Sequence, residues 1–377
     1  MSRIKILLFV FTVLSISSCR EEFDPPVHSS GDSFLVVEGV LNAGAEPTTI
    51  SLTRTYRLDD SARLRGERNA RVTVEGKDNT NQILDMVGDG IYTSPNLNLV
   101  INNEYRLRIQ TTNGKEYLSE FVIARKTPEI DSIGWKLNDE GAQIYVNTND
   151  PSGNTRYYRW DYDETWEIRS YYYTQYKYEN RMVRERITGE EVFYCWKNVS
   201  NSSIHIGTST RLQSDIIHQA PLVFVLNGDD RFSVRYSIMV RQYALDKRGY
   251  EFYELMKRNT ESLGTLFDPQ PSEITGNIRC ITDPAEPVIG YITASTVSEK
   301  RHFINRNEIP GWRFIQACPT EIIPNNPDSL QKYFEGFLEP FEAILGPSGN
   351  IESYAGSYSY CVDCTKRGGS LIKPSFW

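Results

Sequence analysis

The sequence predicts a mainly β protein: a β-sandwich over residues 33–126, then a larger β-rich domain over residues 127–377 with one or two short helices. Three observations carry this. Tyr105, Leu107 and Ile109 alternate with Arg106, Arg108 and Gln110, the period-two pattern of a half-buried strand. Tyr236, Ile238 and Val240 repeat that pattern in the second half. Short β-branched and aromatic runs are separated throughout by Gly, Asn, Asp and Pro, the punctuation of a sandwich rather than of long helices.

Residues 1–18 are set apart from both domains. Arg3 and Lys5 precede an almost wholly apolar run over residues 6–16, then Ser17, Ser18 and Cys19. That is the layout of a secretory signal peptide, with an apolar core too short to span a bilayer as a mature helix. The Ile16-Ser17-Ser18-Cys19 end resembles the lipobox of bacterial lipoproteins, which implies lipidation at Cys19. Arg20-Glu21-Glu22 resembles the signal that sends Bacteroidota lipoproteins to the outer face of the outer membrane. One acyl chain binds only marginally, each buried methylene adding about 0.8 kcal/mol, whereas several chains make a lasting anchor. Residues 19–32 read as a tether, stiff at Pro25-Pro26 and flexible at Ser29-Ser30-Gly31.

In the first domain, residues 34–41, 49–53 and 70–75 read as strands. The Tyr105 strand ends at Asn113-Gly114, a two-residue hairpin signal, and residues 117–123 return. Gly90-Ile91-Tyr92 followed by the Tyr105 strand resembles the immunoglobulin-like, carboxypeptidase-regulatory-like modules. Lys126-Thr127-Pro128 marks the boundary.

The second domain is expected to be fibronectin-like. Residues 135–137 and 143–146 flank a turn at Asn138 to Gly141. Asp150, between Asn149 and Pro151, reads as a turn former rather than a calcium ligand. Tyr158, Trp160 and Tyr162 fall on one face of a strand, for the core, with Arg159 and Asp161 on the other. Tyr171, Tyr172, Tyr173, Tyr176 and Tyr178 follow no such alternation. Their rings and hydroxyls suit a sugar or partner surface, or else a twisted hairpin whose rings pack on each other. Gly189-Glu190 reads as a hairpin tip before residues 192–196. Asp246 is placed to cap a helix over residues 247–262, with Phe252, Leu255, Met256 and Leu263 as a core-facing stripe. Residues 288–297 read as one strand, and a short helix begins at Asp328.

Composition limits the function. Hydrophobic residues at 39% and aromatics at 12% are enough to fill packed cores. The formal charge of −8, deepened by two when Arg3 and Lys5 leave with the signal peptide, argues against a nucleic-acid binder. After Cys19, Cys195, Cys280, Cys318, Cys361 and Cys364 remain. An odd set allows at most two bridges, in an exported chain whose compartment permits them. Structural pairing of Cys318 with Cys361 or Cys364 is favoured over a metal site, because one CxxC and four histidines make a poor zinc set. No metal and no cofactor are expected. No Gly-x-Ser-x-Gly elbow, Walker loop, dinucleotide glycine fingerprint or His-Glu-x-x-His is present.

Gly276-Asn277-Ile278, Val288-Ile289-Gly290-Tyr291-Ile292 and Ala294-Ser295 stand ahead of Cys361-Val362-Asp363-Cys364-Thr365, Gly368-Gly369 and the closing Pro374-Ser375-Phe376-Trp377. With Val36-Val37-Glu38-Gly39 and the lipobox, they resemble the Bacteroidota lipoprotein family called domain of unknown function 4249. The likeness implies a surface accessory to a TonB-dependent β-barrel receptor, for ligand capture or delivery, and transfers no catalytic residue. Asp60-Ser61-Ala62 resembles the Bacteroidota O-glycosylation pattern, which makes Ser61 a candidate; Asp131-Ser132-Ile133 and Asp328-Ser329-Leu330 match it more weakly. The expectation is therefore a non-enzymatic binding lipoprotein on the exterior of the outer membrane. The alternative is an autonomous glycan binder using the five tyrosines.

Overall fold

Alternation of apolar and polar residues along short strands builds two sandwiches and a small third sheet. The computed structural model describes residues 33–55, 65–261 and 276–377. The protein is mainly β with short helices, as the sequence predicts. The lipobox, Cys19, the tether and Ser61 lie outside the described residues.

The first sheet runs from Ile278–Cys280 through Glu116–Ser119, Glu104–Gln110, Arg71–Gly76, Asn81–Gly88, Ile91–Ser94, Thr48–Arg54 and Leu35–Asn42 to Val288–Ile289. Both end strands come from a segment some 150 residues beyond the rest. Ile278–Cys280 pairs antiparallel with Glu116–Ser119, while Val288–Ile289 and Thr293–Ser295 pair parallel with Leu35–Asn42. Ile278, Val288 and Ile292 join Leu35, Leu52 and Val72 in one core. The first sandwich thus includes chain that the sequence reading placed in the second domain. Glu286 fastens the returning segment: it accepts from Arg54 at 3.0 Å, from the Tyr117 hydroxyl at 2.8 Å and from Lys115 at 2.6 Å.

Residues 288–297, expected as one strand, are broken at Gly290. Its φ of +147° suits glycine alone, and a Cβ there would lie 2.2 Å from the Val37 carbonyl oxygen. Past the break the chain stays with the first sandwich, Thr293–Ser295 pairing with Val40 to Asn42, and it enters the second at Val297. The Asn113-Gly114 hairpin also differs from expectation. The Thr111 N–H donates to the Lys115 carbonyl, and of the two residues Gly114 alone has positive φ, so the loop is longer than two residues.

The second sandwich has the strand order of a fibronectin type-III domain. Ile130–Leu137, Gly141–Asn149 and Ile216–Leu226 form one sheet. Tyr194–Ser200 and His205–Thr208 flank Tyr157–Arg169, followed by Arg235–Leu245 and Val297–Asn305, in the other. Tyr158, Trp160, Ile144 and Ile238 fill the space between them. Two insertions depart from the plain topology. One, after Tyr157–Arg169, carries the hairpin Tyr176–Glu179/Met182–Glu185, turned at Asn180 and Arg181, both at positive φ. That tip replaces the one expected at Gly189-Glu190, which is a turn in the chain leading to Tyr194–Ser200. The other insertion holds the Lys247–Glu261 helix and the segment that closes the first sandwich.

The C-terminal lobe is a three-stranded sheet, Glu321–Pro324, Ile351–Tyr358 and Leu338–Leu345, under the Pro327–Phe334 helix. That helix starts one residue earlier than expected: Asn326 is the cap, accepting from the Ser329 N–H, and Pro327 occupies a first-turn position that needs no donor. Cys318–Cys361 bridges within the lobe, and Cys195–Cys364 ties it to the second sandwich. Among the described cysteines, Cys280 is free and buried.

Candidate functional site

The strand Tyr157–Arg169 has two faces of opposite character. Tyr158, Trp160 and Tyr162 point into the core, Trp160 at 1% exposure. Arg159, Asp161 and Asp163 point the other way. Register extends that outer row across the sheet, placing Asp161 beside Arg241 and Arg241 beside Glu299. Strand Leu35–Asn42 of the first sandwich brings Glu38 to the opposite wall. The Lys247–Glu261 helix adds Tyr253 and Met256. Its first turn is set by Asp246, whose carboxylate accepts from the Gly249 N–H at 2.7 Å, and Phe252 anchors it on Tyr291 with ring centroids 5.4 Å apart. The expected core-facing stripe is therefore divided: Phe252 is buried, Met256 lines a cleft, and Leu263 lies outside the described residues. Together these elements enclose about 1110 Å³.

The floor is electrostatically matched within itself. The Arg159 guanidinium lies between the rings of Tyr243 and Tyr253, 4.5 and 4.8 Å from their centroids. It donates to the Tyr253 hydroxyl and, at 3.0 Å, to Asp161, while its Nε is buried without an acceptor. Burial works against the charge on Arg159, but Tyr253 and Asp161 hold its pKa above the usual value. Arg241 pairs with Asp163 and, at 3.2 Å, with Glu299. Burial pushes the Asp163 carboxyl up, yet the Ser200 hydroxyl, donating at 2.6 Å, and Arg241 outweigh it and hold Asp163 below the ordinary range. Burial also pushes the Tyr243 phenol up to about 12. Such an array presents donors and acceptors held in fixed orientations.

The fold divides the five tyrosines between the C-terminal lobe and the surface, with Tyr171 and Tyr172 left edge to face at 4.9 Å. Tyr172 stacks on Phe341 at 4.0 Å, and its hydroxyl donates to the Cys318 carbonyl at 3.0 Å. Tyr176 and Tyr178 pack against Tyr354 and Phe334 of the C-terminal lobe. Tyr171 and Tyr173 stay 59% and 55% exposed, Tyr173 against Phe193 at 5.6 Å. Asp150 is a turn former, its carboxylate accepting from Ser152, Asn154 and Thr155 N–H groups. Among the described residues no group of three metal-ligating side chains forms, and no helix is long and apolar enough to cross a membrane. The cleft was not legible as a site. Its one sequence signal was the charged pair Arg159 and Asp161 between aromatic core positions.

No curated protein matches the chain. Among solved structures, the two fibronectin type-III domain segment from chicken tenascin is similar at 13% identity, over 57% of this chain and 93% of that chain, with a TM-score of 0.16. The fibronectin-type order described above stands on the strand pairing itself. A family profile described as Domain of unknown function (DUF4249) matches residues 20–301, which leaves the Cys361 to Trp377 motifs beyond its end. With three quarters of its length matched, the chain belongs to the DUF4249 family.

Proposed function

We propose that the protein is a lipid-anchored binding lipoprotein on the exterior of the outer membrane, an accessory to a TonB-dependent β-barrel receptor that captures or delivers its ligand in the cleft between the two sandwiches. The observation that carries the binding role is the pairing of the cleft's charges. Arg159 holds Asp161, and Arg241 holds Asp163 and Glu299, which fixes the orientation of these carboxylates in the cleft. The anchoring part rests on the Cys19 lipobox and the Arg20-Glu21-Glu22 signal. The test is gentle detergent extraction followed by affinity purification, with Cys19→Ala alongside. The reading requires a co-purifying β-barrel and release of Cys19→Ala from the membrane. A lone monomer, or a variant still firmly membrane-bound, refutes it.

A second reading, autonomous glycan binding at the tyrosine cluster, is favoured by one observation: Tyr171 and Tyr173 remain more than half exposed. It predicts sugar affinity lost in Tyr171→Ala with Tyr173→Ala.

A further inference from the structure

Resting on the reading of the cleft as the ligand site, we infer that its ligand is a short saccharide without negative charge. Three features lead there. Charge comes first. Among the described residues six carboxylates line the cleft against two guanidiniums, Arg159 and Arg241, and both guanidiniums are already paired. Glu38 and Glu46 reach the same space from the opposite wall. An acidic ligand would meet a negative field that no unpaired cation among the described lining residues offsets.

The second feature is the kind of hydrogen bonding on offer. An extended peptide is recognised chiefly by main-chain pairing with an open strand edge. The floor strands Tyr157–Arg169 and Arg235–Leu245 are paired along both edges, and so is Leu35–Asn42 on the wall. The floor presents a sheet face, so recognition falls to side chains. Asp161 and Asp163, two residues apart on one strand, stand about 6.8 Å apart, and Arg241 lies about 4.8 Å across on the next. Acceptor and donor thus alternate on the scale of one pyranose ring, whose neighbouring hydroxyls both donate and accept.

The third feature is size and lining. At about 1110 Å³ the space exceeds the usual range for a single small ligand, roughly 300–1,000 Å³. Tyr253 and Met256 add apolar surface beside the polar floor, the mixture that the two sides of a sugar ring require.

The test uses the full-length chain in detergent, on a broad glycan array and by titration with maltohexaose, chitohexaose, hexagalacturonate and hexalysine. The expected result is binding to an uncharged or amino-bearing oligosaccharide, at least tenfold tighter than to hexagalacturonate. Asp161→Asn should weaken it at least tenfold in a variant that still melts cooperatively. Tighter binding of hexagalacturonate, binding of hexalysine alone, an array without signal, or full affinity in Asp161→Asn would each overturn the inference. A co-purifying β-barrel with a silent array would overturn the ligand class while leaving the accessory reading in place. Sugar binding lost in Tyr171→Ala and kept in Asp161→Asn would overturn the cleft as its site.

Discussion

The first sandwich is filled mostly by aliphatic side chains such as Leu35, Leu52, Val72 and Leu107, with Tyr92, Tyr105 and Tyr117 among them, and takes its end strands from residues 278–289. The second is filled by Trp160, Tyr158, Phe232, Tyr236 and Trp312, with Phe232 and Trp312 edge to face at 4.9 Å, and draws its strands from one continuous stretch apart from its insertions. One body is completed from a distance by pairing and a buried charge cluster. The other is completed locally by large rings and tied to the C-terminal lobe by a disulfide. Stability of the first should therefore depend on a few contacts far apart in sequence, and stability of the second on packing.

The largest effect should come from Gly290→Val, which places a side chain where backbone approaches backbone. Positive-φ strain of roughly 1–3 kcal/mol adds to overpacking of similar size. A loss of about 4 kcal/mol by chemical denaturation is expected, and an unchanged midpoint would end the claim that the first body relies on the returning segment. Removing Cys195–Cys364 by Cys195→Ala with Cys364→Ala should cost about 3 kcal/mol, the usual size of the loss when a disulfide is removed. A melting temperature insensitive to reductant would contradict that.

Glu286→Gln sharpens the contrast, at about 2 kcal/mol. Burial pushes the Glu286 carboxyl up, but Lys115, Tyr117 and Arg54 more than offset it and hold its pKa below the ordinary value. A depressed folded-state pKa gives stability that is present above the unfolded value, about 4.3, and is lost as pH falls through the folded one. Acid titration of stability should thus be steeper in the parent than in the variant; equal slopes would remove Glu286 from the account. The smallest effect separates two neighbouring tyrosines. Tyr172→Ala should cost about 2 kcal/mol by losing its stack on Phe341, and Tyr171→Ala less than about 0.5 kcal/mol. Similar losses in both would mean that the tyrosines pack alike.

Where a strand is long and one face is buried, its residues announce it. Tyr105, Leu107 and Ile109, or Tyr158, Trp160 and Tyr162, could be assigned to cores from alternation alone. Ile278–Cys280 and Val288–Ile289 could not. Strands of two or three residues have no period to read, and their partners lie far upstream. The tyrosine-rich stretch drew attention through density, but density does not separate rings that pack from rings that stay free. The cleft has no sequence signature because its lining comes from several strands, loops and a helix that are far apart along the chain.

The return of residues 278–295 to the first sheet has a consequence for biosynthesis. A nascent chain that has emerged only as far as residue 126 holds most of a β-sheet but neither of its flanking strands, and two unpaired backbone edges invite association with other chains. The first sandwich must wait until residues 278–295 have been made before it can shut. Chaperone protection during that interval, and resistance of the finished fold to being cut into independent modules, both follow from where those short strands sit in the order of translation.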